Sequence, residues 1–140
     1  MLLSMAIGIS SCTTAEAIEV DSRFNLIVAE ADRAVIYAYA DDHAQPYQRV
    51  RDLEKEELVE LGNLMLVETK YKSDCAYDGA IFLFKGAEIF AKMRFSIDEN
   101  CTYAMYMDEG NLHTRKLTAN GIEILKQSLN TYTTSLGMTQ

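Results

Sequence analysis

The residues of this chain that could do chemistry are few: three cysteines, two histidines and several paired carboxylates. The thiols of Cys12, Cys75 and Cys101 could be acylated, joined as a disulfide or used as metal ligands. A structural metal site needs closely spaced ligand pairs such as Cys-x-x-Cys, and none of the three has such a neighbour, so no metal ligand is expected. His43 and His113 lie far apart in loop-like surroundings and read as solvated side chains. Acyl-transfer chemistry requires a nucleophile beside a base that a third group orients, and no Gly-x-Ser-x-Gly or comparable frame occurs. The pairs Asp41-Asp42, Asp98-Glu99 and Asp108-Glu109 fall at turn signals, where Asp serves the backbone, and none has calcium-loop spacing. Gly79, Gly86 and Gly110 fit turns and strand ends, not a phosphate loop. No catalytic residue and no cofactor are expected, and the chain reads as a non-enzyme.

Cys12 has the most specific surroundings. It follows a short apolar run, Leu2, Leu3, Met5, Ala6, Ile7 and Ile9, and the small residues Ser10 and Ser11. Ile9-Ser10-Ser11-Cys12 resembles the lipobox of bacterial lipoproteins, in which the cysteine is lipidated and becomes the new N-terminus. Ala15-Glu16-Ala17 is instead the small-x-small pattern of ordinary signal peptidase, which would release a chain beginning near Ile18. Either version makes residues 1–17 an export signal and 18–140 one mature domain, placed in the cell envelope or secreted. No Lys or Arg precedes the run, which a start codon further upstream would supply. A spanning anchor needs about 18 apolar residues, so contact with a membrane is expected only through a lipid on Cys12. Export leaves Cys75 and Cys101 as an even pair in an oxidising compartment, and a Cys75–Cys101 disulfide is predicted.

Thirteen basic against twenty-one acidic residues give a net charge of −8. With no Lys/Arg cluster, nucleic acid and anionic lipid surfaces are both disfavoured as partners. One proline, no tryptophan and no repeat point to one compact unit.

The elements that must position these groups follow from periodicity. Asp21 or Ser22 can cap a helix carrying Phe24, Ile27, Val28 and Ala31, and residues 34–40 read as a strand. Leu58, Leu61 and Met65 predict an amphipathic helix over residues 53–65. From Gly79 the period changes to two: residues 79–84, 88–97 and 101–107 form a three-stranded meander, with a short edge segment over 112–117. Thr118 caps a last helix bearing Ile122, Leu125 and Leu129, with Leu117 and Ile122 forming a hydrophobic staple. The expected fold is α+β: an antiparallel sheet, made of the meander plus one earlier strand, packed against helices on one face.

Pairing Phe84 with Ile89 and Ile97 with Cys101 puts Phe82, Phe84, Ile89, Ala91, Met93, Phe95, Tyr103, Met105 and Met107 on the core face. Ile81, Leu83, Phe90, Lys92, Arg94 and Tyr106 then share the other face, a mixture of apolar groups and cations that suits a protein partner or another copy of the chain. The expected function is a protein-binding or inhibitor-type interaction module. The alternatives are a carrier of a small apolar ligand between sheet and helices and, least supported, an enzyme.

Overall fold

The computed structural model describes residues 19–39, 48–67 and 76–135, with the side chains of 131–135 left aside. Helix α1, Ser22–Glu30, starts where Asp21 supplies the cap: its Oδ1 accepts from the backbone N–H groups of Arg23 and Phe24 at 3.0 and 3.3 Å. Phe24 and Val28, one helical turn apart, are buried. Lys55 closes the far end, its Nζ donating to the carbonyls of Ala29 and Ala31 at 3.2 and 2.6 Å.

The sheet holds six strands, not the meander plus one: β1 Arg33–Ala38, β2 Gln48–Leu53, β3 Gly79–Lys85, β4 Glu88–Asp98, β5 Cys101–Asp108 and β6 Asn111–Lys116. Their order is β2-β1-β3-β4-β5-β6, and every neighbouring pair is antiparallel. The fold class is α+β, as expected. The strand missed in the sequence is β2, Gln-Arg-Val-Arg-Asp-Leu, which lies at the sheet edge. Only its last residue is buried, so its sequence carries no apolar alternation.

Residues 53–65 are also not the single α-helix expected. Leu53 closes β2, and Lys55–Leu61 form a 3₁₀ helix capped by the reciprocal hydrogen bonds of Glu54 and Glu57. The reason lies in a period of three. Leu58 and Leu61 are both buried, and three residues per turn stack them on one line, after which the extended Gly62 and the left-handed Asn63 turn the chain away. On another side Arg51 meets Glu60 at 2.6 Å and Glu57 at 3.9 Å.

Helix α2, Ala119–Ser135, begins as expected. The Gly121 N–H donates to Thr118 Oγ1 at 2.9 Å, and Leu117 and Ile122 pack into the core. The three helices among the described residues cover one face of the sheet, where Phe24, Leu61 and Leu125 pack with Ile36, Ile81 and Phe95 in one cluster.

Gly121 marks a close approach. A Cβ there would stand 2.6 Å from the Leu64 carbonyl oxygen and 3.1 Å from Leu64 Cα. Gly121→Ala improves helix propensity by about 1 kcal/mol, but backbone must separate to admit the methyl group. We expect a net loss of about 1–3 kcal/mol in thermal unfolding; a raised melting temperature would contradict the close packing of α2 on Leu64.

Candidate functional site

The cross-strand register divides the six residues expected on one surface. From Gly79↔Phe95 to Leu83↔Ala91 the β3–β4 ladder is regular, and it then slips to Phe84↔Ile89. Phe90 is thus an extra residue in β4, a β-bulge. The expected pair Phe84–Ile89 is correct, but the bulge turns over every β3 residue before it relative to β4. A second slip lies at the β4–β5 turn, which closes over Glu99 and Asn100 with Asp98 facing Cys101, not Ile97. Both slips exchange faces. Ile81, Leu83 and Tyr106 therefore lie in the core, at 0%, 0% and 3% exposure. Lys92 and Arg94 stand on the opposite, outer face, and Phe90 is exposed at the bulge. Phe82, Phe84, Ile89, Tyr103, Met105 and Met107, expected in the core, belong to the outer face beside these cations.

This outer face is a second apolar layer roofed by charge. Tyr37 packs on Phe82 with ring centroids 4.8 Å apart, and Tyr77 on Tyr103 at 5.9 Å. Arg33 lies 4.1 Å over the Phe84 ring, Lys92 5.2 Å over Phe82 and Arg94 5.8 Å over Tyr77. Each cation is attracted by a ring face while its stem shields apolar surface and its head stays wet. Val35, Ala80 and Tyr103 are consequently buried although they point away from the helices. The layer opens at one end, where β4 begins and the β5–β6 hairpin turns. There Ile89, Phe90, Met107 and Leu112 are 36–59% exposed, with Lys92 beside them. Leu112 faces Met107 across the hairpin, and Ile89 and Phe90 stand at the start of the neighbouring strand β4.

Of the cysteines, Cys12 and Cys75 lie outside the described residues, as does His43. Cys101 begins β5 and is half-buried. Tyr77 reaches across β4 to β5, its ring against Tyr103 and its hydroxyl 3.4 Å from Met105 Sδ.

A polar cluster that sequence reasoning did not assemble sits at the edge of the core. Asp21, 5% exposed, accepts on Oδ2 from Tyr106 Oη at 2.6 Å and from Arg115 Nε at 3.3 Å. Arg115 also reaches His113 Nδ1 at 3.2 Å, and the imidazole stacks on Tyr106 with centroids 5.0 Å apart. A guanidinium can only donate, so Nδ1 accepts and the proton sits on Nε2, which is shut from solvent with no partner among the described residues. Burial first, then the hydrogen bond to Asp21 and its negative charge, push the Tyr106 phenol well above its ordinary range. Such a phenol is a poor acid, and both oxygens of Asp21 are committed, Oδ1 to the helix cap and Oδ2 to Tyr106 and Arg115. The arrangement braces α1 against β5 and β6. The partners lie 85 and 94 residues from Asp21, which hid the cluster from a reading of local pattern.

The space expected to hold an apolar ligand is occupied, among the described residues, by side chains such as Phe24, Leu61, Met93 and Phe95, all 0–1% exposed. An open groove of about 330 Å³ lies elsewhere, between α1 and the 3₁₀ helix, lined by Asn25, Val28, Ala29, Lys55, Leu58, Val59 and Gly62. No described helix is long and apolar enough to cross a membrane. Comparison of the chain with protein-family models, with curated proteins and with solved structures found no match.

Proposed function

We propose that this chain is an exported protein-binding module of the cell envelope, of an inhibitor or adaptor type, whose partner docks on the open end of the outer sheet face. The exposed strip of Ile89, Phe90, Met107 and Leu112 beside Lys92 carries the reading. Elsewhere on that face the aromatic groups are roofed by cations, whereas here the apolar side chains meet solvent, and aromatic and cationic groups together are the composition of interface centres. Phe90→Glu is expected to weaken partner capture from envelope extract by at least about 30-fold, the loss of one hot-spot residue of about 2 kcal/mol. Its thermal transition should be unchanged, because the ring is not in the helix-side core. Undiminished capture by the variant would overturn the reading.

Export and the lipid on Cys12 are part of the same proposal, supported by the apolar run and by Ile9-Ser10-Ser11-Cys12. Cys12→Ser is expected to move the protein from the membrane fraction to the soluble fraction. An intact Met1 on protein recovered from the cytosol would contradict export in either form.

A further inference from the structure

We propose that the partner is an acidic protein, whose carboxylates meet Arg33, Lys92 and Arg94 across the outer face of the sheet. This rests on the outer face being the docking surface and adds the charge of what docks there. The three residues come from β1 and β4, and the fold gathers them although the sequence holds no basic cluster. Arg33 leans from β1 and Lys92 from β4 onto the strand between them, their heads 4.1 and 5.2 Å over Phe84 and Phe82 of β3. Those rings stand two residues apart on one side of β3, about 7 Å along the strand. Arg94, two residues beyond Lys92, continues the row over Tyr77.

No described carboxylate lies within ion-pair distance of these three heads, whereas Arg23, Arg49, Arg51 and Arg115 each hold one. The carboxylates on the Arg33 side are engaged elsewhere: Asp52 with Arg49, Asp32 with the Gly86 N–H at 2.7 Å, and Glu54 in the cap of the 3₁₀ helix. At the open end Asp108 pairs with Arg23 at 3.0 Å and Glu88 faces Lys85 across the turn, while Glu109 lies at the hairpin tip. Asp98 ends β4 four residues beyond Arg94, about 13 Å along the strand and outside the screening length of about 8 Å at physiological salt. In a chain of net charge −8, the middle of this face is thus a positive row without counter-ions among the described residues. Each head is already held over a ring, so little side-chain freedom is lost when a carboxylate reaches it. An extended acidic segment carries alternate side chains on one side at the same spacing of about 7 Å as the Phe82 and Phe84 rings, and unlike charges across the contact set its register.

The test is calorimetric titration of the native chain with a capped octapeptide in which Glu alternates with Thr, and with the same peptide carrying Gln in place of Glu. The Glu peptide is expected to bind at least about 10-fold tighter than the Gln peptide, and to weaken as salt is raised. Lys92→Gln and Arg94→Gln, both at exposed positions, should each weaken it about 2–5-fold, and the double variant about 10-fold. Should the double variant lose its thermal transition, Arg33→Gln replaces it. Lys126→Gln removes the same charge from an exposed position on α2 and should leave binding unchanged. Equal affinity for the two peptides, or a loss with Lys126→Gln as large as with Lys92→Gln, overturns the proposal. Tighter binding of tetragalacturonate, which carries as many carboxylates as the peptide, would assign the face to an anionic glycan and overturn it too. If the Glu peptide fails while Phe90→Glu still abolishes partner capture, the docking reading survives and the acidic partner alone is lost. If the Glu peptide binds while capture is indifferent to Phe90, the cationic row keeps its acidic ligand and the open end loses its role.

Discussion

Asp21→Ala is expected to lower the unfolding free energy by about 3 kcal/mol or more, a large share of the 5–15 kcal/mol typical of a domain. The substitution removes two things at once. Loss of the cap on the Arg23 and Phe24 N–H groups costs about 1 kcal/mol. The Tyr106 hydroxyl, on a residue 3% exposed, then has no acceptor at Asp21, and an unsatisfied buried group costs a further 1–3 kcal/mol or so. Arg115 also loses its carboxylate. Asp21→Asn retains a capping oxygen and should cost less. Tyr106→Phe should cost about 1 kcal/mol alone but little or nothing in the Asp21→Ala background, where it deletes an already stranded hydroxyl. Urea unfolding of the four proteins measures this coupling. Costs that simply add would mean that the two residues do not support one another.

The same contact sets an alkaline limit. The folded state raises the Tyr106 phenol above its ordinary value of about 10. Its contribution is thus fully present below about pH 10 and is lost as pH rises from there through the folded value, because the unfolded chain releases the proton first. Above about pH 10 the native protein should lose stability more steeply than Tyr106→Phe.

The second expected result is that reduction lowers the stability of the protein by about 3.5 kcal/mol, the chain-entropy value for a loop of about 26 residues closed between Cys75 and Cys101. The disulfide is a proposal that gains support from the path of the chain after Cys75. Tyr77, two residues on, already lies against Tyr103 and Met105, which share a side of β5 with Cys101 by strand alternation. Asp78 fixes that path: its N–H donates to the Phe95 carbonyl at 2.9 Å, and its Oδ2 accepts from the Ile97 N–H at 2.7 Å. The segment thus crosses β4 toward β5, as a bridge to Cys101 requires. Cys101→Ser should reproduce the loss and make the protein indifferent to reductant. Thiol labelling of both cysteines in protein from an oxidising compartment would refute the bridge.

Where the controlling interaction is local, the residues themselves announce the structure. Asp21 caps α1 because its carboxylate reaches N–H groups two and three residues on. Thr118 starts α2 because Gly121 lies within reach of its hydroxyl, and Leu117 and Ile122 sit on either side of the cap. The alternation in β4 comes from the two sides of a single strand, and the α+β class follows from adding such segments. Charge and composition likewise bear on partner classes without knowledge of any contact.

Contacts between distant segments decided the rest. Gln-Arg-Val-Arg-Asp-Leu becomes β2 because β1 offers it an edge, not because its own pattern favours a strand. Leu58 and Leu61 fit three residues per turn once the core lies on one side of them, although a helical stripe could be drawn through Leu58, Leu61 and Met65. Most consequential for function are the bulge at Phe90 and the two-residue turn at Glu99-Asn100. Each shifts pairing by one residue, and because strand side chains alternate with period two, each exchanges core for surface. Ile81, Leu83 and Tyr106 therefore lie beneath the helices, while Phe82 and Tyr103 lie beneath the cations. Such a slip changes no local preference; it is selected only by how whole faces pack. The brace of Asp21, Tyr106 and Arg115 is the same case in polar form, since groups so far apart in the chain meet only after α1 has settled against the sheet.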